Sequence, residues 1–580
     1  MIEFVQAVST ARYSKARIAL GIFLLVLVVY VLSSPGRIDI IDGQARFDVA
    51  YNWLHAGQPL LTDSLIKPWM AVAGQHGLPY SYYGAPASVL PMPLLALGGL
   101  YDGMGLGTSQ FLFSLTCPIL GAGIGSILFL LYIELGLSLR HALFWTIVST
   151  FATMLWPAST STFDNTQHAF FAITALYLAA LSARLRSNLL AAVSGLVAGV
   201  LILYQAYFLL VIPALALGVV KLPVREKTPQ RHPETPEVSI IVRAGRPVHD
   251  YILADIASLR WISQASREAR QSMVRFVCFI FAVSGDLLLS GLYNNLRFGS
   301  YWSVRKLHAT MYPVRLLGNP VSGLSTLLLS PGKSIFLYSP VLILGILGFR
   351  SLRRRRPEIA LATLAASIAL ILFLSCISFA GGDWCWGPRY LVVVLPLWAL
   401  SFPFAQLRRS AILGLVSLGF LVQGLGLSVD HQRFFFERGF NDYFWAEDSW
   451  CYFKHSALFA RFGEALSLSH AAPPQATNFN SIPDAGWSTY AMLGPPTRMP
   501  RSLAPQWMLH FRLFYLPRPW PFWMPTIDPA ARPVKMAAWL WGLAGTGLIG
   551  LVLILPVLKI RKDIFTAATD VRVVLGAGAL

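Results

Sequence analysis

Long apolar runs alternate with short polar connections along this chain, and an apolar helix needs ~20 residues to cross a hydrocarbon core. Runs near that length fall at about 18–32, 110–133, 141–156, 168–183, 273–292, 335–349, 359–379, 390–406, 411–429 and 536–558. The stretch 189–220 is too long for one straight span and carries Gln205 and Pro213, so two short helices meeting at the outer face are expected there. The stretch 86–101 is apolar but short and holds Pro86, Pro91 and Pro93; it either crosses or lies in the interface.

The basic residues decide between these options. If 189–220 were one span and 86–101 crossed, Arg140, Arg184 and Arg186 would face outward. In the opposite arrangement they share the inner side with "RRRR" at 353–356, "RR" at 408 and "KIRK" at 559, as the positive-inside rule favours. That solution predicts about twelve spans with both termini in the cytoplasm. The first run follows Arg12, Lys15 and Arg17 and precedes no small-residue cleavage site, so it reads as an uncleaved span.

External segments are then expected at 33–108, 157–167, 293–334, 380–389 and 430–535, the last an aromatic-rich capping segment. A cytoplasmic insertion at 221–272 ends in "YILADIASLRWISQASREAR", which reads as a surface helix. The division is a transmembrane domain over 1–429, the cap over 430–535, and a last helix with its tail over 536–580.

Composition agrees with the pattern. The chain is 55% hydrophobic and 13% charged, too little polar material to clothe a water-soluble core. The net charge of +19 sits largely in clusters beside apolar runs, which points to anionic lipid headgroups and membrane lipids rather than nucleic acid. Five cysteines without a CxxC pair give no metal or redox signature. Cys385 and Cys451, both external, either pair or remain free thiols. There is no internal repeat, and "GLGTSQ" at 105 lacks the lysine of a phosphate loop.

The first external segment, "RIDIIDGQARFDVAYNWLHAGQPLL", carries Asp39, Asp42 and Asp48. A carboxylate held near apolar walls has a raised pKa and can take a proton from a hydroxyl. Asp39 and Asp48 read as solvated loop acids or helix caps. Asp42 is the candidate base, because the Asp-Gly step is expected to turn the chain and aim its side chain into the bundle. The residues after it read as a short helix with Phe47, Tyr51 and Leu54 on one face. Arg389 in "WGPRYL" is the first candidate to hold an anionic leaving group, followed by Arg297 in "NNLRFGS" and Lys333 in "SPGK". No His/Asp/Glu spacing demands a metal, although Asp42 and Asp164 would share a divalent cation if they converged. His76 and His168 are of a kind met more often as loop or cap residues than as ligands. The aromatic external segment suits either sugar stacking or interfacial anchoring.

Several segments resemble the GT-C superfamily of membrane glycosyltransferases, in particular bacterial relatives of the protein O-mannosyltransferases and of the aminoarabinose transferases that modify lipid A. "IDGQARFDVAYNWLHAGQPLL" is similar to that family's acidic first loop, and "GLPYSYYGAPASVLPMPLLALGGLYDG" to its tyrosine-rich stretch and interfacial helix. "WPASTSTFDNTQHAFFA" resembles the second external loop, with Asp164 in the acidic place. "LYNNLRFGSYW", "LLLSPGKSIFLYSPVLILGILGF" and "GGDWCWGPRYLVVVLPL" resemble later signatures. The chain departs from the family at Gly43, where Asp-Glu is common, in "YYGAPASVLP", which lacks a lysine, and at Gln205, where many relatives have arginine.

The resemblance implies an all-α polytopic GT-C-like bundle with external loops and an interfacial helix, embedded in the bacterial inner membrane with its site facing outward. Asp42 and Asp164 would be catalytic, with Arg389, Arg297 and Lys333 on the donor phosphate. Arg46, Tyr82, Tyr83, His168 and Trp386 would line the substrate pocket. Nucleotide sugars are not available outside the cell, so the expected donor is a polyprenyl-phosphate sugar and the acceptor a lipid, glycan or protein. The rival reading is a transporter or flippase of a lipid-linked sugar, which should show two similar halves.

Overall fold

The computed structural model describes residues 2–34, 38–63, 67–99, 106–221, 248–302, 318–378, 380–382, 385–428, 452–453, 456–470 and 541–555. Most of the expected capping segment, residues 222–247 of the insertion and the tail after 555 therefore lie outside the described residues.

The fold is all-α apart from one short hairpin. Among the described residues, six helices are long and apolar enough to cross a membrane: Lys15–Ser33, Phe111–Glu134, Asn165–Leu185, Ser266–Phe298, Pro357–Ser375 and Arg409–Ser428. Shorter apolar helices cover Pro86–Leu97, Asn188–Tyr204, Arg389–Ala399 and Trp541–Leu555. At 1.5 Å per residue the Pro86–Leu97 helix reaches only ~18 Å, too short to cross a ~30 Å core alone.

Several predicted runs are interrupted. Gln205 is extended (φ −154°, ψ 130°) and closes the Asn188–Tyr204 helix, leaving the second half of that stretch as short helical pieces. The run at 335–349 splits at Ser339 and Pro340 into Ile335–Tyr338 and Leu342–Arg355. The run at 390–406 is a 3-10 turn Arg389–Val394, a short α-helix Leu395–Ala399 and a second 3-10 turn Phe402–Phe404. Pro396 and Pro403 remove backbone donors there. Irregular backbone at membrane depth survives only under protein cover; Leu391, Val394, Leu400 and Phe402 are wholly buried.

The expected surface helix in the insertion is instead continuous with the span that follows it, as one helix Val248–Phe298 of 51 residues. No glycine or proline interrupts the sequence between 248 and 284, so nothing forces a break. This helix packs tightly on Asn188–Tyr204, where a Cβ on Gly195 would lie 2.2 Å from the Phe279 carbonyl oxygen.

At the end that carries the candidate acids, α1 (Ile2–Ser33) closes and α2 (Ile41–Ala56) opens. Asp42 and Gly43 fall in the first turn of α2, so the expected chain reversal at Asp-Gly is a helix start. A carboxylate in a first turn also complements the helix dipole. Glycine is needed here for contact: a Cβ on Gly43 would lie 2.4 Å from Thr162 Oγ1. Beyond α2 the strands β1 (Ala71–Ala73) and β2 (Pro79–Ser81) pair antiparallel, with Val72 opposite Tyr80.

Candidate functional site

Two ion pairs meet where α2 crosses the 157–167 loop. Arg389 Nη1 lies 3.2 Å from Asp42 Oδ2, with side chains 12% and 15% exposed. Arg46 Nη2 lies 2.9 Å from Asp164 Oδ2, with side chains 2% and 8% exposed. One turn of α2 separates Asp42 from Arg46, which puts both pairs on one side of the helix. Burial pulls the Arg46 pKa down, but Asp164 foremost, then Tyr83 and Asp42, more than offset it and leave it above its ordinary value. The guanidinium therefore stays charged.

Aromatic rings frame both cations. Arg389 sits 4.1 Å over the Phe163 ring, and its Nη2 donates to the Tyr390 hydroxyl at 3.1 Å. Arg46 sits 4.3 Å over the Tyr83 ring. Burial chiefly, with Asp42 adding to it, holds the Tyr83 hydroxyl well above its ordinary pKa, so it remains a neutral group. The Tyr82 hydroxyl lies 3.4 Å from that of Tyr83 and 2.8 Å from Met70 Sδ. His168 Nε2 is 3.6 Å from Asp164 Oδ2, and its ring meets Tyr204 and Phe208 edge-on.

Buried polar atoms without hydrogen-bond partners among the described residues include Arg46 Nε and Nη1 and, close to Arg46 or Asp164 in sequence, Gln44 Oε1, Ser161 Oγ, Asn165 Oδ1 and Thr166 Oγ1; others, such as Thr363 Oγ1 and Gln423 Oε1, lie on other elements. An unmade buried hydrogen bond costs ~1–3 kcal/mol. The two such nitrogens on Arg46 are what a site built for a polar ligand or water presents.

The other candidate cations serve the framework. Arg297, 3% exposed, donates to the carbonyls of Ser81 (2.6 Å) and Tyr83 (3.0 Å) and to Asn294 Oδ1 (3.0 Å). It pins the hairpin and the two tyrosines to the end of the Val248–Phe298 helix. Lys333, 1% exposed, donates to the carbonyls of Cys385 (3.0 Å) and Gly387 (3.2 Å). It ties down the loop that leads into Arg389. Trp386 packs edge-on to Tyr338 and under Arg461.

The expected solvated acids are not free in water. Asp39 is 4% exposed and accepts from Thr162 N (2.8 Å) and Thr162 Oγ1 (2.6 Å). Asp48 accepts from the amides of Thr62 (2.6 Å) and Asp63 (3.0 Å), fastening α2 to the irregular segment that follows it. Phe163 and Tyr390 adjoin Asp164 and Arg389 in sequence, and an aromatic beside each chosen residue was the available signal for them. Thr162 and Arg461 carried none. Cys385 is free and buried, and Cys451 lies outside the described residues. Among the described residues no three His, Cys, Asp or Glu side chains gather as a cation site. Asp42 and Asp164 each already face a guanidinium, so the two acids fit a shared divalent cation poorly.

Among the solved structures that resemble the chain are two membrane enzymes. ArnT from Cupriavidus metallidurans bound to undecaprenyl phosphate is 14% identical, with 92% of this chain and 74% of that one covered and a TM-score of 0.38. The Archaeoglobus fulgidus oligosaccharyltransferase in the apo form is 14% identical, with 81% of this chain covered and a TM-score of 0.36; this chain spans 55% of its length. No protein-family model and no curated protein matches the chain.

Proposed function

We propose that this protein transfers a sugar from a polyprenyl-phosphate-linked donor to a lipid, glycan or protein acceptor at the outer face of a bacterial cytoplasmic membrane, as GT-C glycosyltransferases do. The observation that carries this reading is the unequal pair of ion pairs. Each is made through one guanidinium nitrogen, but Arg46–Asp164 is shorter and more buried, whereas Arg389–Asp42 is longer and more exposed.

Arg389 divides its guanidinium between Asp42 and the Tyr390 hydroxyl and is more exposed than Arg46, which suits it to exchange the carboxylate for another anion. A donor phosphate offers it a bidentate, doubly charge-assisted alternative to the carboxylate. When Arg389 turns to the phosphate, the Asp42 carboxylate is released from its ion pair and is open to the acceptor hydroxyl. The acceptor oxygen then attacks the sugar's anomeric carbon while the bond from that carbon to the phosphate oxygen breaks. The acceptor's proton goes to Asp42, and the electron pair leaves with the lipid phosphate, neutralised by Arg389. Donor binding thus frees the base, and an empty site keeps it paired. Asp164, fixed by Arg46, accepts from a hydroxyl of the sugar or acceptor and orients it.

The test uses the full chain reconstituted in vesicles with undecaprenyl-phosphate-linked radiolabelled hexoses and a mixed acceptor extract, with free undecaprenyl phosphate as the readout. Asp42→Asn should lower the rate on the order of 10²-fold or more. Arg389→Lys should lose most activity, because a point charge cannot reproduce the fork. Movement of the lipid-linked sugar between leaflets with its glycosidic bond intact would replace this reading with that of a flippase.

A further inference from the structure

Asp39 is 4% exposed and makes no ion pair among the described residues, yet its side chain makes two short hydrogen bonds at this end of the molecule. Oδ1 accepts from both the amide (2.8 Å) and the hydroxyl (2.6 Å) of Thr162, 123 positions away. Gly43, four residues after Asp39, presses on the same threonine so closely that a Cβ would sit 2.4 Å from its Oγ1. Asp42 is therefore bracketed by two residues that both contact Thr162. On the other strand of the contact, Phe163 supplies the ring under Arg389 at 4.1 Å, and Asp164 supplies the acid held by Arg46 at 2.9 Å. One threonine thus stands in register with all three candidate functional side chains.

We propose that Asp39 and Thr162 form a positioning clasp that sets the spacing of Asp42, Arg389 and Asp164. Neither residue touches the reacting atoms. Both hydrogen bonds run to one side-chain oxygen away from bulk water, at 2.8 and 2.6 Å. Without them, the start of α2 and the 157–167 loop would remain packed through Gly43 but free to shear. A shift of ~1 Å between reacting groups costs on the order of 10² in rate. The proposal rests on the transferase reading for its kinetic consequence, although the clasp has a signature of its own.

The experiment has two arms on the full chain in lipid nanodiscs. In the first, hydrogen exchange of the peptide containing Thr162 is followed. Asp39→Ala should raise exchange of that peptide at least ~10-fold, with the Asn165–Leu185 helix unchanged. Asp39→Asn, which keeps a carbonyl acceptor, should stay near wild type, and Thr162→Val should fall between. In the second arm, release of undecaprenyl phosphate from the hexose-linked donors is measured. Asp39→Ala should lose on the order of 10² in kcat with donor KM nearly unchanged. Asp39→Asn and Thr162→Ser should recover most of that loss. Equal exchange in Asp39→Ala and wild type would overturn the clasp. So would an Asp39→Asn variant as inactive as Asp39→Ala with its protection intact, since Asp39 would then act chemically. Loss of exchange protection without any turnover in the wild type would uphold the clasp and reject the transferase reading instead.

Discussion

Asp164 and Arg46 show what a buried charge pair demands of its neighbours. Both side chains are nearly excluded from water, and Arg46 keeps two nitrogens without hydrogen-bond partners among the described residues. Removing one partner of such a pair typically costs ~3–5 kcal/mol, because the other charge stays buried alone. Asp164→Asn should therefore lower the thermal midpoint in detergent strongly, and adding Arg46→Met should recover stability while activity stays lost. A double variant no more stable than Asp164→Asn would show that the cost lies in packing and not in the orphaned cation. The sequence singles out Asp42, Asp164 and Arg389, which the structure places in the two ion pairs, because an acid after the first span or in a short loop, and an arginine beside an apolar run, are unusual positions. It does not single out Asp39, because its partner Thr162 is distant in sequence and nothing local marks the pairing. Arg297 and Lys333 illustrate the converse: a cation at a loop end looks available for an anion until the backbone carbonyls that occupy it are placed.

At the scale of elements, apolar run length located the helices well and their interruptions poorly. The break at Gln205 was expected from the length of its stretch, but Pro340 sits inside a run whose hydropathy alone permits a continuous span. The 3-10 geometry of Arg389–Val394 depends on tertiary cover that no local pattern carries. The continuous Val248–Phe298 helix was missed for another reason: a polar segment and an apolar one were read as separate pieces although no breaker divides them. That helix meets Asn188–Tyr204 through Gly195 and Gly199, four residues apart on one face, as small residues do where backbones approach within a membrane. Adding bulk at Gly195 would push it into the Phe279 backbone, which cannot give way as a flexible side chain can. Gly195→Leu should separate the two helices and lower the thermal midpoint by several degrees or prevent accumulation of the protein. Gly285→Leu, on the same long helix where a Cβ meets nothing within 4 Å, should be tolerated. Equal effects from the two substitutions would mean that the close approach contributes nothing specific.

For the molecule as a whole, the ion pairs sort into two ends. Glu134 receives Arg184 at 2.9 Å and lies 3.8 Å from Arg356, which also binds Glu358 at 2.7 Å. This joins Arg184 to the 353–356 cluster, which were the residues whose sidedness decided between the two topologies. The Asn165–Leu185 helix carries Asp164 just before its first residue and Arg184 in its last turn, ~30 Å apart at 1.5 Å per residue. The acids and the basic clusters therefore occupy opposite ends of the bundle. The positive-inside rule predicts that the arginine-rich end lies in the cytoplasm, and on that ground we propose that Asp42 and Arg389 face outside. The donor class hangs on this sidedness, because nucleotide sugars are available only on the cytoplasmic side. The check is single-cysteine labelling after replacement of the five native cysteines, with a membrane-impermeant maleimide on intact spheroplasts. His55→Cys, at the exposed end of α2, should label at once, and Arg354→Cys only after permeabilisation. The reverse pattern would put the site in contact with cytoplasmic nucleotide sugars and remove the reason for a lipid-linked donor, while leaving the geometry of the two ion pairs as it stands.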